Sequence, residues 1–486
     1  MGSINYDDSN VYDVLIIGAG ISGINAAYRI HDGLPDKKFL LLEGRDNIGG
    51  TWDLFRYPGI RSDSDLHTFA FPFKEWTGAD IAEAKHIVAY LRKVVDEHGL
   101  AEFIRLRSKV QSADWSTEER CWFVTVNQDG EQVHYRTRYL YCCTGYYDYD
   151  AAFKADIPGI HNFKGKVVHP QFWDLKEDDY RGKRVAIIGS GATAITLLPN
   201  MAPVTSSITL VQRSPSYILS LDKFDPTAKL IRAILPRRAA AWLIRQKNII
   251  STYVFYHTFL AFPSIAKRIL KKLTQKQLPS NIPLDPHFKP SYNPWEQRLC
   301  VCPDGDFFET LRSGKAHIAT GHIDQVTDDE IILKNGQRIP CDIIVTATGL
   351  KLHWGGHIAT TVDDKPFHPS ERFLWRSCMM EGVPNYILSM GYTNASWTLG
   401  ADCTAQHVVR LIKHMDKYHK SIVVPTPQNK DKLNEGRLLR LDSGYVKRAR
   451  SELPKVATSG PWRMRNNYWY DMFTAKYGGY PELNFR

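Results

Sequence analysis

The stretch Val11–Gly23, VYDVLIIGAGISG, decides the fold. It opens on a run of apolar character, Val11 to Ile17, of the kind that forms a parallel strand buried on both faces. Gly18, Gly20 and Gly23 then supply G-x-G-x-x-G at the strand end, with Ser22 inside the turn and the helically spaced INAAYRI behind it. The glycines permit a tight turn and close backbone approach, and the helix start offers free N–H groups and a positive dipole end to a pyrophosphate. A second apolar run, Phe39 to Leu42, ends in Glu43, 20 residues beyond Gly23, where a carboxylate can accept hydrogen bonds from ribose hydroxyls. Strand, turn, helix and acid together predict a dinucleotide site.

The pattern recurs. Arg184 to Ile188 leads into Gly189-Ser190-Gly191-Ala192-Thr193-Ala194 and a helix-like segment, and a following strand, Ile208 to Val211, ends in Gln212-Arg213-Ser214. No carboxylate closes this second strand. Arg213 stands where a guanidinium can pair with a 2′-phosphate, which favours NADP over NAD; the plainer alternative is a surface arginine at a strand end. Two dinucleotide sites in one chain point to a flavin reduced by a nicotinamide, FAD in the first and NADPH in the second. Two more strand-like runs, Tyr139 to Cys143 before Thr144-Gly145 and Ile343 to Thr346 before Ala347-Thr348-Gly349, are expected to return the chain to a domain junction. The predicted class is α/β, with two Rossmann-like dinucleotide-binding domains and a helical insertion in the second.

Length and composition fit that class. At about 150 residues per domain, 486 residues hold two or three folded units. A hydrophobic share of 43% with 23% charged residues excludes a disordered, collagenous or polytopic membrane chain. The 8 cysteines show no CxxC pair or zinc-finger spacing and read as reduced thiols of a cytoplasmic protein. Met1 to Asn10 has neither the basic nor the apolar region of a signal peptide. The formal charge of +10 first suggests a polyanion partner. Between positions 222 and 290, however, 13 Lys and Arg face 3 Asp, so the whole excess sits in that segment and the rest of the chain balances. Nucleic acid is therefore not expected as a partner. The charge is left with two uses, favouring an anionic nicotinamide cofactor nearby or contacting a membrane surface.

A more specific signal lies between the two glycine turns. Phe163, Gly165, His169, Trp173 and Asp174 fit F-x-G-x-x-x-H-x-x-x-W-D at every defined position, although a glycine, histidine and tryptophan in a linker can also be packing residues. With Gly49 to Asp65 (GGTWDLFRYPGIRSDSD), Tyr292 to Cys300 (YNPWEQRLC) and Gly391 to Trp397 (GYTNASW), the chain resembles the type I Baeyer–Villiger monooxygenases, class B flavoprotein monooxygenases, along essentially its whole length. Within them it is most similar to the ethionamide-activating branch of mycobacteria and related bacteria. The family's domain plan would place FAD-binding parts at 1–147 and 350–486, NADP-binding parts at 148–221 and 291–349, and the helical insertion at 222–290.

The resemblance also implies roles. FAD would be held by Gly18, Gly20, Ser22, Gly23, Glu43, Gly50, Thr51, Trp52, Asp53, Asp63 and Val110, and NADP by Gly189, Ser190, Gly191, Ala192, Thr193, Arg213, Ser214 and Gln297. Arg298 resembles the catalytic arginine over the flavin's reactive face, and Asp63 the buried acid that orients it. A fixed cation there suits a reaction in which O₂ adds to reduced flavin and an anionic peroxide must persist until substrate arrives. A buried Asp–Arg ion pair without catalytic purpose is the competing reading. The implied substrates are small apolar ketones, giving esters or lactones, and thioethers, giving sulfoxides. Gln297 departs from the family, whose better-known members carry lysine there, which leaves Arg213 with Ser214 as the main NADPH discriminator.

Other features are weaker. Asn248 to Ala266 is a 19-residue stretch without Asp, Glu, Lys or Arg, but its Asn, Ser, Thr and His residues and Pro263 make a poor transmembrane span; a helix packed in the insertion is expected ahead of peripheral membrane contact. His353 and His357 lack a third ligand pattern, so no metal is expected. No phosphate-loop or G-x-S-x-G motif occurs. The aromatic tail, Trp462 to Tyr480, is expected to pack over the FAD domain or to line the active site. Two rivals stay open: an N- or S-oxygenating flavin enzyme without Baeyer–Villiger activity, and a non-catalytic NADP-binding protein docked on a membrane. No motif fixes the oligomeric state.

Overall fold

Val14, Leu15 and Ile16 have no exposed surface, and neither do Leu41 and Leu42 beside them. Strands of this kind need cover on both faces: helix residues such as Ile24, Leu91 and Val408 pack on one, and Val110, Trp115, Trp122 and Val124 of antiparallel strands pack on the other. The computed structural model describes residues 10–297, 299–439 and 441–486. In the first sheet, Ile104–Arg105, Phe39–Leu42, Val11–Ile17, the end of Glu131–Cys142 and Tyr386–Leu388 run parallel in that spatial order. The order is that of a parallel dinucleotide-binding sheet, and its last strand comes from far down the chain. Beyond it, Ser108–Ser116, Cys121–Gln128 and the start of Glu131–Cys142 form an antiparallel meander. Helices Ile21–Gly33 and Trp397–Lys417 lie against each other beside the sheet.

The second sheet orders Ala316–Thr320, Ser207–Gln212, Arg184–Ile188, Ile343–Thr346 and Lys166–Val168, all parallel. Ala192–Met201 is the helix after its glycine turn. The chain passes between the sheets twice, and the two crossings lie side by side. Tyr147 bridges Leu352, Asp148 N–H donates to Lys351 O at 2.9 Å, and His353 N–H donates to Tyr146 O at 3.1 Å.

Asp148 secures this ladder. Its buried carboxylate accepts from the N–H groups of Asp150 and Ala151, both at 3.0 Å, and pairs with Lys351 at 2.8 Å and His357 at 3.0 Å. Burial works to raise its pKa, but Lys351, His357 and the two N–H groups outweigh it and hold the carboxyl well below the usual range. Asp148, Asp150 and His357 come within 4.8 Å of one another, a grouping that sequence spacing concealed. With Lys351 on the carboxylate, it is an ion-pair cluster at a crossing.

The insertion leaves after Ile218–Leu221 and returns at Cys300–Pro303, which pair in parallel as a separate two-stranded sheet. Between them stand helices Pro226–Ile234, Arg237–Ala261 and Pro263–Gln277. The single packed helix expected over Asn248 to Ala266 is corrected here: it breaks at Phe262, ahead of Pro263, and the two helices meet at 112°. Asn248, Ile249, Tyr256 and Phe259 are buried, whereas Ile250, Val254, Leu260 and Ile265 face outward. Among the described residues no single helix is long and apolar enough to cross a membrane; the bent pair meets that length and composition only jointly.

All 8 cysteines are free thiols, most of them buried. In the tail, Trp462 is buried and helix Tyr468–Tyr477 lies against Trp397–Lys417, fixed by a 2.8 Å hydrogen bond from Tyr392 Oη to Asp471. The tail therefore covers the first domain, and none of its residues lines the cleft described next.

Candidate active site between two glycine turns

Both glycine turns open into one cleft of about 1220 Å³ at the carboxyl ends of the two parallel sheets. At the first turn the helix sits directly on the strand end. A Cβ on Gly23 would stand 1.8 Å from the Gly18 carbonyl oxygen, so only glycine lets the helix N-terminus close on the turn. Across the cleft floor, a Cβ on Gly50 would lie 2.9 Å from the Gly20 Cα, which leaves a bare backbone cradle between the two segments. Ser22 is held by Trp397, whose Nε1 donates to its Oγ at 3.0 Å.

Glu43 ends the second strand and faces the cleft. Its oxygens accept from Ala19 N–H at 2.7 Å and Arg45 N–H at 3.0 Å, and burial raises its pKa against those bonds. Each oxygen keeps a further acceptor position for a sugar hydroxyl. Thr51, Trp52, Asp63 and Val110 also line the cleft. Asp53 does not: its carboxylate pairs with Arg45 at 2.9 Å and Arg56 at 3.0 Å, so it braces the loop.

Two tyrosines to which the sequence assigned no role complete this wall. Tyr149 meets Thr51 Oγ1 at 3.2 Å, and burial pushes its pKa up to about 12. Tyr57 is likewise pushed up to about 12 by burial, and its hydroxyl bonds Thr193, joining the loop after Gly50 to the second glycine turn. Arg298, expected beside Asp63, lies outside the described residues.

At the second turn, a Cβ on Gly189 would reach the Ala347 carbonyl oxygen at 2.3 Å, while one on Gly191 would meet nothing within 4 Å. The turn thus opens onto free space over its helix start. Ser190 Oγ donates to Ser214 O at 2.8 Å and accepts from Ser216 at 3.1 Å, which fixes the loop carrying Arg213. Ala192, Thr193, Arg213, Ser214 and Gln297 all line the cleft. A second cation joins Arg213 there. Gly321 N–H donates to Gln212 O at 3.0 Å and Lys334 N–H to His322 O at 2.8 Å, which brings Lys334 and His322 to the same wall.

The fingerprint serves mainly as packing. Phe163 is buried, Gly165 admits no side chain against Asp342 O, Trp173 donates to Leu175 O at 2.9 Å, and Asp174 pairs with Lys166 at 2.8 Å. These contacts hold the edge strand Lys166–Val168. Only His169 reaches the cleft; its Nδ1 accepts from Gln171 N–H at 3.1 Å, and burial lowers its pKa.

Residues 12–355 match the family described as flavin-binding monooxygenase-like. The chain belongs to that family. It is 40% identical over 468 residues to the FAD-containing monooxygenase EthA of Mycolicibacterium smegmatis, covering 96% of this chain and 95% of that one. It is 42% identical over 467 residues to the probable FAD-binding monooxygenase AlmA of Acinetobacter baylyi, covering 96% and 93%. Among solved structures it is similar to an oxidized steroid monooxygenase bound to NADP, with a TM-score of 0.77, 20% identity and 98% and 99% of the two chains covered. The open form of cyclohexanone monooxygenase gives 0.75, 20%, 98% and 100%. The resemblance read from the motifs and the expected α/β class therefore hold for this flavin-binding monooxygenase.

Proposed function

We propose that this monooxygenase binds FAD at the first turn and NADPH at the second and converts small apolar ketones to esters or lactones with O₂, also oxidising thioethers to sulfoxides. The observation that carries this reading is the single cleft onto which both turns open, bare backbone at Gly20 and Gly50 on one side and open space with Arg213 on the other. The residues fit both cofactors. The helix behind Gly20 would face one pyrophosphate and the helix behind Gly191 the other. Glu43 would take the ribose of FAD, and Arg213 with Lys334 the 2′-phosphate, Lys334 replacing the cation lost at Gln297. Once bound, FAD would accept hydride from the nicotinamide and activate O₂. The protein's part is to hold the two rings together, keep Tyr57 and Tyr149 protonated and place charge with Asp63 and Arg298.

Arg213→Ala is expected to raise the KM for NADPH about 30-fold, the equivalent of about 2 kcal/mol for a charge-assisted phosphate contact, and to leave NADH nearly unaffected. Lys334→Ala should cost about fivefold in the same parameter. Equal losses with both cofactors would remove these residues from phosphate recognition.

A second reading, sulfur or nitrogen oxygenation without ester formation, gains from one observation. Trp173 and Asp174, which point to the ester-forming family in sequence, stay out of the cleft and bond Leu175 and Lys166 instead. Mass analysis of products from phenylacetone and a thioether separates the two. Ester from phenylacetone is the expected result, and sulfoxide alone would favour the second reading.

A further inference from the structure

The insertion exposes what a soluble helix normally hides. On Arg237–Ala261 the inner face is buried, yet Trp242 is 62% exposed and Leu243, Ile250 and Val254 also face outward. At the corner Phe262 is 57% exposed, and on the preceding helix Ile234 is 69% exposed. On Pro263–Gln277 the residues Ile265, Ile269 and Leu273, spaced four apart, form one exposed stripe. Arg268, Lys272 and Lys276 form the neighbouring stripe at the same spacing, since residues three and four apart share a helix face. Monomeric proteins rarely expose contiguous apolar patches beyond a few hundred Å².

The charge identifies the occupant. No Asp or Glu occurs between Pro226 and Leu284. The insertion's ion pairs are Arg237–Glu75, Lys247–Asp225 and Lys289–Asp285, so Arg268, Lys271, Lys272 and Lys276 make no salt bridge among the described residues. Apolar side chains flanked by unpaired cations match the acyl–headgroup boundary of an anionic bilayer, where long basic side chains reach the phosphates while the apolar stripe enters the chains. The 112° bend and the protein-facing inner sides make the pair lie on such a surface without crossing it.

We propose that the bent helix pair Arg237–Ala261 and Pro263–Gln277 is a monotopic docking surface for anionic lipid membranes. The arrangement gives docking a purpose. Ile249, on the inner side of the long helix, packs with Tyr392 and Leu399, and Tyr392 lines the cleft. One helix thickness thus separates the proposed bilayer surface from the site, whatever reaction that site performs, and apolar compounds concentrate in the bilayer.

The test is flotation of the flavin-loaded full-length protein with vesicles of phosphatidylcholine and phosphatidylglycerol at 7:3, and of phosphatidylcholine alone. The wild type should float with the mixed vesicles and much less with the neutral ones, and lose binding at high salt. The triple variant I265S/I269S/L273S should lose at least tenfold in partitioning while keeping its flavin absorbance and NADPH oxidation. K272E/K276E should lose the preference for the anionic lipid, at about fivefold or more per lysine. No flotation of the wild type, or flotation unchanged in the triple variant, would overturn the proposal. So would a wild-type dimer that becomes monomeric in the triple variant without vesicle binding, which would make the face a contact between two copies, and so would capture of an acidic protein in place of lipid.

Discussion

Gly23→Val is expected to yield a colourless protein. The Cβ it adds would fall 1.8 Å from the Gly18 carbonyl oxygen, and that carbonyl cannot retreat. Gly18 N–H is tied to Leu42 O at 2.7 Å, and a Cβ on Gly18 would already lie 2.7 Å from Cys143 O, so strand, turn and helix are pressed together from both sides. Overpacking typically costs 1–3 kcal/mol where side chains can adjust; against backbone the upper end applies, about 100-fold or more in flavin retention. Flavin released per mole of purified protein measures it. Gly191→Ala, whose Cβ meets nothing within 4 Å, should retain the full flavin content. A yellow Gly23→Val protein would mean that the first turn does not carry the flavin.

The second large effect concerns Arg298. Arg298→Met should leave NADPH-driven flavin reduction within about threefold while cutting oxygenated product about 100- to 1000-fold, the range seen when a group stabilising developing negative charge is removed. Anaerobic bleaching by NADPH reads the first step and product analysis the second. Ester formed at the wild-type rate would end the role assigned to this arginine. Loss of reduction and oxygenation together would instead make it a structural partner of Asp63.

The two sheets were legible because parallel strands buried on both faces leave continuous apolar runs, and because the first strand of each unit stops at a glycine, Gly18 or Gly189, that the backbone geometry requires. What local pattern could not show is what folding brings together from a distance. Lys334 reaches the Arg213 wall through backbone hydrogen bonds of the segments around His322, some 110 residues after the second strand. Tyr149 carries no motif and Tyr57 sits in the Gly49–Asp65 string without a role assigned to it; burial and a single hydroxyl contact make them part of the site. Asp53 sits in a conspicuous GGTWD string but is claimed by Arg45 and Arg56, and no spacing distinguishes a carboxylate facing a ligand from one facing two guanidiniums. Trp173 and Asp174 marked the family while holding an edge strand in place. In the insertion, helical spacing was visible, but which face lacks a protein partner depends on the bend at Phe262.

The paired crossings make the middle of the chain a cassette. Everything from Asp148 to about Gly349, including the second sheet and its helices, enters and leaves the first domain through neighbouring positions, zipped by Asp148, Lys351 and His353. A segment whose ends already touch can be exchanged for another of its kind without pulling the flanking sheet apart. Swapping that cassette between relatives would therefore transfer nicotinamide preference and the basic helices as one inherited block, while the flavin site stayed behind with its own strands.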